Sequence, residues 1–298
     1  MVRIDFNGCT LLTDSGEWVE AIVRGKLMGP RKALGNAVVV GDRARYETLD
    51  GRAVVDEVEP RRNVFSRRAS GRHPVEQVVA ANVDQVVLVA SIVEPPFKAG
   101  FADRVLSQAE HAGIPTRLVI NKTDLASAAD DAPVADYERA GVPVHRVSAR
   151  TRAGIEDLCH ACRGRRSLLV GHSGVGKSTL LNAMVPGIDL LEGRVNPKTG
   201  RGRHTTTAAW MIRPEPGWDL IDTPGVRVFP LWGIGPENLD QAYVEFRRFL
   251  GRCRFGDCRH GAEPGCAIHE AVKAGHIPAR RLASYHLLRE ELEAEESR

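Results

Sequence analysis

"GHSGVGKST", Gly171 to Thr179, is the stretch on which the fold turns. It satisfies G-x-x-x-x-G-K-[ST] and lies between the apolar "SLLV" and the helix-forming "TLLNAMV". Strand, loop and helix in that order are the setting a phosphate-binding loop requires. Gly171, Gly174 and Gly176 let the backbone curl so that amide N–H groups, those of Ser173 and Val175 among them, face a phosphate. The N-terminus of the following helix adds its partial positive charge. Lys177 is expected to reach the β- and γ-phosphates, Ser178 to hold Mg²⁺, and Thr179 to complete the nucleotide contacts.

Other nucleotide-handling motifs surround this loop. "DTPG", Asp222 to Gly225, ends the apolar strand "WDLI". Asp222 is suited to hold Mg²⁺ through water, and the Gly225 amide to sense the γ-phosphate and drive a switch. "HTTT", His204 to Thr207, lies between the two motifs in a Gly-, Arg- and Thr-rich stretch without apolar period, 190 to 207, which reads as a long loop. One of its threonines can ligand Mg²⁺, and Thr206 is favoured. "NKTD" ends the strand "TRLVI". Asp124 there can accept from guanine N1–H and N2–H₂, donors that adenine lacks in that arrangement, and a carboxylate left unpaired discriminates by about 10⁴-fold. Asn121 is expected at the O6/N7 edge and the stem of Lys122 along the base. "SAR" ends the next strand, where Ser148 positions the Ala149 amide toward guanine O6.

The elements therefore run base, base, phosphate loop, switch, switch. The usual order begins with the phosphate loop. Joining old termini and cutting elsewhere leaves the sheet unchanged, so the order implies a circular permutation. Its consequence is mechanical, since movement of "DTPGVRVFPLWG" would pull directly on whatever follows. The residue after D-T-P-G is Val226, where many GTPases carry the glutamine that orients water. Hydrolysis unaided is then slow. His204 is a candidate to position water, and equally a basic residue touching phosphate or RNA.

The remaining chain divides around this unit. Residues 1 to 72 show short strands such as "TLLTDSGEW", "EWVEAIVRG", "NAVVVGDRARYE" and "GRAVVDEVEP", broken by Asp-Ser-Gly, Gly-Asp and Asp-Gly turns. A small barrel of the oligonucleotide-binding (OB) kind fits, and an SH3-like barrel would look similar. Residues 73 to 230 alternate strand and helix, the pattern of a parallel sheet covered on both faces. Residues 231 to 298 are mainly helical and carry C-x₄-C-x-H-x₅-C: Cys253, Cys258, His260 and Cys266. Four such ligands suit a closed, structural Zn²⁺ site. Cys159 and Cys162 also form C-x-x-C. With Ile155 and Leu158 they follow helical spacing and read as a core face rather than a redox pair.

The chain has 298 residues and a formal net charge of +3, too little to imply a polyanionic partner by itself. Two segments, 59 to 72 and 247 to 260, each hold five arginines against one acid and can form local phosphate-binding faces. The longest apolar run, 86 to 93, is too short for a bilayer. No secretory leader is evident, and six cysteines form no disulfide framework, so a reducing cytosol is expected.

Taken together, N-K-T-D, G-H-S-G-V-G-K-S-T, G-R-H-T-T-T, D-T-P-G-V-R and the cysteine pattern resemble the bacterial family of circularly permuted, ribosome small-subunit-dependent GTPases A, over essentially the whole chain. That resemblance implies an N-terminal OB-fold, a permuted G domain and a C-terminal zinc domain. It also implies GTP hydrolysis stimulated by the small ribosomal subunit, binding to its rRNA, and a role in late subunit maturation. A monomer with no membrane contact is expected. Two other readings stay open on the residues alone: a P-loop ATPase or kinase, and an RNA-binding module whose nucleotide only sets conformation.

Overall fold

The apolar runs around 86–91, 118–121 and 167–171 are too continuous for strands with one wet face, and the structure buries them on both. It is a computed structural model that describes residues 1–5, 8–28, 37–69, 75–127, 132–187 and 209–297. The first strands are β1 (Arg3–Asp5), β2 (Gly8–Leu12), β3 (Trp18–Val23), β4 (Ala44–Leu49) and β5 (Arg52–Val58). A hairpin of β6 (Val64–Arg68) and β7 (Glu76–Ala81) follows. Then come β8 (Gln85–Ser91), α1 (Ala99–His111), β9 (Thr116–Asn121), α2 (Ala132–Arg139), β10 (Val144–Arg146) and α3 (Ile155–Cys162). The phosphate-loop unit is β11 (Arg166–Gly171) and α4 (Lys177–Met184), followed by β12 (Trp210–Glu215) and β13 (Trp218–Asp222). Short 3₁₀ turns, Leu239–Ala242 and Val244–Phe246, lead to α5 (Ala267–Lys273) and α6 (Ala279–Glu296).

One sheet runs β10-β9-β8-β11-β13-β12-β1-β2-β3-β5-β4. The five strands from β10 to β13 are mutually parallel, and β12 is antiparallel to β13. Side chains alternate across a strand, which sorts the core into two layers. Val86, Leu88, Leu118, Ile120, Leu168 and Val170 pack under α1 and α2 with Val105, Ala109 and Tyr137. Val87, Val89, Val119 and Leu169 pack on the other face against Ile155, Leu158, Leu180 and Leu181 of α3 and α4. Such doubly buried parallel strands are expected to be Val/Ile/Leu-rich. Cys159 and Cys162 lie in this second layer, and burial pushes the Cys162 thiol up to about 11. The C-x-x-C is a core face, as its spacing predicts.

Toward the N-terminus, β1 to β5 enclose a smaller core of Cys9, Leu11, Ala21, Val38 and Val55, with β3 parallel to β5. One expected strand differs. The stretch "NAVVVGDRARYE" becomes a strand only from Ala44. Val38–Asp42 is instead a buried turn, because Asp42 accepts the Val39 N–H at 2.8 Å and clamps Arg61. Gly41 there has φ +94°, and a Cβ would lie 2.1 Å from the Ala81 carbonyl oxygen. The β6–β7 pair joins residues on either side of position 72.

The C-terminal elements have a third core of Leu239, Tyr243, Phe246, Tyr285 and Leu288. Arg281 of α6 fastens this core to α1. Its guanidinium is 1 % exposed, bonds Glu245 at 2.5 Å and also bonds Asp103 of α1. Tyr137 of α2 donates to the same Asp103 at 2.8 Å, and Arg280 reaches Asp136 at 2.8 Å. No helix among the described residues is long and apolar enough to cross a membrane.

Candidate nucleotide cleft and metal centre

The parallel strands deliver their motifs to one edge of the sheet, because β8, β9 and β11 all end there. Gly176 precedes α4 with φ +89°, and a Cβ on it would lie 2.6 Å from Asn121 Nδ2. Only glycine combines that backbone with so close an approach. Asn121, 2 % exposed, donates to the Val175 carbonyl at 3.0 Å and accepts the Ala149 N–H at 3.1 Å. The Asn121 side chain thus ties the phosphate loop to the "SAR" turn, a positioning role beside the base contact expected of it, and the Ala149 amide expected at guanine O6 donates to Asn121 here. Lys122, at φ +63°, extends over the loop and donates to the carbonyls of Gly174 (2.9 Å) and Glu94.

Beside this strut lies a cleft of about 200 Å³ lined by Asn121, Lys122, Asp124, Leu125, Ala149, Arg150, Gly176 and Thr179. The Asp124 side chain, 11 % exposed, stands at its mouth. Ser148 Oγ donates to Asp124 Oδ1 at 2.6 Å, and Arg150 Nε lies 3.0 Å from Oδ2. The Ser148 hydrogen bond, helped by Arg150, holds the Asp124 carboxyl below its ordinary range. It is therefore an acceptor throughout the neutral range.

At the phosphate end, Lys177 is 7 % exposed, and its Nζ donates to the Gly171 carbonyl at 3.2 Å. Burial lowers its pKa, with Asp222 pulling the other way. Asp222 is 3 % exposed, and burial raises it from 3.8 to about 6 against the opposing charge of Lys177. Its Oδ1 is buried without a hydrogen bond among the described residues. A buried, unpartnered carboxylate oxygen near the first turn of α4, where Ser178 sits, is a donor set that suits a hydrated Mg²⁺. Gly225 presses on the same loop: a Cβ there would be 3.0 Å from Ser173 Cα and 3.1 Å from Lys177 Nζ. The next amide, Val226 N–H, donates to the Gly171 carbonyl at 3.4 Å, and the Val226 side chain packs on the core. Ser173, Gly174 and Val175 complete the loop. His204 and Thr206 lie outside the described residues.

The second cluster is 253–266. The ligand atoms of Cys253, Cys258, His260 and Cys266 all lie within 4.8 Å of one another. His260 Nδ1 is 3.6, 3.6 and 3.5 Å from the three sulfurs, and Cys253 and Cys266 sulfurs are 4.0 Å apart. A tetrahedron built with Zn–S of about 2.3 Å and Zn–N of about 2.0 Å has S···N edges of about 3.5 Å and S···S edges of about 3.8 Å. The residues fit that ion. His260 Nε2 faces away from the sulfurs, with the Asp240 carboxylate 3.5 Å from it, as an orienting carboxylate beyond a ligand histidine would be. His269 and His286 Nε2 lie 3.0 and 2.6 Å from the His260 carbonyl.

Sequence reading missed Asp240, the Arg150–Asp124 pair and the Arg281 cluster. Each joins residues from separate motifs or elements, and no local spacing marks them.

With this geometry in view, comparison places the chain among known proteins. The RsgA GTPase family model matches residues 58–232. The chain belongs to the RsgA GTPase family. Among its relatives is Small ribosomal subunit biogenesis GTPase RsgA 1 of Vibrio vulnificus, 43 % identical over 267 residues, 86 % of this chain and 74 % of the relative. Another is Small ribosomal subunit biogenesis GTPase RsgA of Gemmatimonas aurantiaca, 42 % identical over 288 residues, 94 % and 92 % of the two chains. The crystal structure of YjeQ from Thermotoga maritima superposes with a TM-score of 0.77 at 33 % identity, covering 98 % of this chain and 96 % of that one. YloQ, described as a circularly permuted GTPase, gives 0.72 at 25 % identity over 99 % and 94 %. The order of motifs read from the sequence agrees with that description.

Proposed function

We propose that this GTPase acts in late maturation of the small ribosomal subunit, binding its rRNA as a monomer in the cytoplasm, with hydrolysis stimulated by the subunit and followed by release. The observation that carries the nucleotide half is the convergence of Asp124, the Asn121 strut and the Gly171–Thr179 loop on one cleft. The ribosomal half rests on relatives named as small ribosomal subunit biogenesis GTPases. In this reading residues 1–72 form an OB-fold that carries RNA contacts, 73–230 a permuted G domain and 231–298 a zinc-binding helical domain. The β3–β5 parallel pairing and the enclosed Cys9–Val55 core support the first of these.

The chemistry follows from the residues. Asp124 selects guanine by accepting its N1–H and N2–H₂, while Ser148 keeps the carboxylate ionised. Asn121 and Lys122 hold the phosphate loop rigid, so its amides need no reorganisation to meet phosphate. Lys177 leaves the Gly171 carbonyl for the β- and γ-phosphates. Ser178, Thr206 and Asp222 would hold Mg²⁺, which would neutralise charge on those phosphates. The Gly225 amide senses the γ-phosphate. Val226 offers no polar group to water, so water positioning falls to His204 or to the bound subunit, and that is why stimulation is expected. Cys253, Cys258, His260 and Cys266 hold one structural Zn²⁺.

The test is phosphate release by the purified protein with GTP or ATP, with and without small subunits. GTP-selective turnover that rises with subunits is expected. Equal use of ATP, or no effect of subunits, would overturn the reading.

A further inference from the structure

Asp124 meets two donors of its own chain. Ser148 Oγ takes Oδ1, and the Arg150 guanidinium takes Oδ2 at 3.0 Å through Nε. Guanine's hydrogen-bonding edge, N1–H beside N2–H₂ on one carbon, is itself a guanidine-like donor pair. An arginine side chain offers a carboxylate the same chemistry. The two groups compete for the same oxygen.

Arg150 is placed to alternate. Its side chain is 76 % exposed. The backbone that carries it is fixed: Thr151 N–H donates to Ser148 Oγ at 3.1 Å, and Ser148 N–H donates to the Ala153 carbonyl at 3.0 Å. The side chain can leave Asp124 without disturbing the turn. We propose that Arg150 is an intramolecular competitor for guanine, covering Asp124 when the base is away and so lowering the affinity for guanine nucleotides. This rests on Asp124 reading guanine, as argued above. A site open only part of the time binds with an affinity reduced by the open fraction. The cost falls on association, because the base must find Asp124 uncovered. An ion pair this exposed is weak, and its removal corresponds to about two- to fivefold in affinity.

The experiment is titration and stopped-flow binding of a fluorescent GDP to the full chain and to Arg150→Ala. The expected result is a Kd two- to fivefold tighter, carried mainly by faster association. A control separates this pair from general loss of positive charge. In an Asp124→Asn background, binding of fluorescent XDP is compared with and without Arg150→Ala. With the carboxylate gone, the gain disappears. Weaker or unchanged GDP binding by Arg150→Ala, or an equal gain in the Asp124→Asn background, overturns the proposal. A failure of Asp124→Asn to prefer XDP over GDP is a different result: it removes the base-reading role of Asp124, and the proposal with it.

Discussion

Replacing Asp222 by asparagine makes the protein more stable and less able to hydrolyse GTP. Burial pushes the folded carboxyl up to about 6, from an ordinary 3.8. The folded state therefore binds the proton more tightly, and the contribution to stability falls as pH rises from about 4 to about 6. Above that window the ionised, 3 % exposed carboxylate costs about 3 kcal/mol, at 1.36 kcal/mol for each of roughly two pKa units. This figure already contains the attraction of Lys177. Asparagine has the shape of the neutral acid and removes the cost. Urea unfolding of both proteins, with no chelator present and neither nucleotide nor Mg²⁺ added, measures it across pH 4 to 8. Asp222→Asn gains little at pH 4 and on the order of 3 kcal/mol at pH 7.5, while its GTP turnover collapses. A variant no more stable than the parent at pH 7.5, or a gain independent of pH, would refute the burial argument.

Three further outcomes follow from particular contacts. Asn121→Ala leaves the Val175 carbonyl and the Ala149 amide without their partner, at about 1–3 kcal/mol each, and fluorescent-GDP titration is expected to show affinity weakened about tenfold or more. Arg281→Met leaves the buried Glu245 carboxylate without its guanidinium and Asp103 with only Tyr137, Ser284 and the more distant Arg280, a loss of about 3–5 kcal/mol by denaturant unfolding, with earlier proteolytic release of the segment after 230. Asp240→Ala removes the carboxylate beside His260 Nε2, so zinc transfer to a chromogenic chelator is expected to accelerate roughly 10-fold or more, with Asp240→Glu restoring part of the hold. Unchanged release would show that Asp240 does not orient the ligand.

The sequence was most legible where chemistry imposes local spacing. The phosphate loop needs three glycines and a lysine in nine residues, and the doubly buried strands need unbroken apolar runs, so both could be read directly. The convergence of Cys253, Cys258, His260 and Cys266 was readable for the same reason. Contacts inside the site were less so. Beside the base contact expected of it, Asn121 places its amide 3.0 Å from the Val175 carbonyl, a partner 54 positions away that no motif announces. Val38–Val40 have strand composition, but Asp42 and Gly41 bend the backbone into a buried turn. The Arg281–Asp103 pair spans 178 positions. Such contacts depend on how elements pack, and periodicity carries no trace of them.

Permutation suggested that the switch pulls directly on the C-terminal segment. The contacts limit how that can happen. Just beyond Gly225, the Pro230 carbonyl accepts the Arg68 N–H of β6 at 3.1 Å. Trp232 is held to α1 in both directions: Gln108 accepts its N–H at 2.8 Å and donates to its carbonyl at 3.1 Å. Arg281 then fastens α6 to the same helix through Asp103. A shift at Gly225 must therefore be absorbed between Val226 and Phe229, or α1 must move with the C-terminal core as one body. Both ends of α1's attachment are buried or doubly bonded, so the first route needs fewer bonds broken. The short exposed stretch around Val228, 68 % exposed, is then where a change of nucleotide would be felt first. The combined substitution Arg281→Met, Ser284→Ala, Arg104→Ala and Arg247→Ala tests the alternative, since it removes the contacts of these four side chains that tie the C-terminal core to α1 through Asp103, Glu291 and Glu110, while leaving the Gln108–Trp232 clamp in place. If nucleotide-dependent protection of residues 226–229 from hydrogen exchange survives that substitution, the signal is local to the switch exit. If it is lost, α1 carries it.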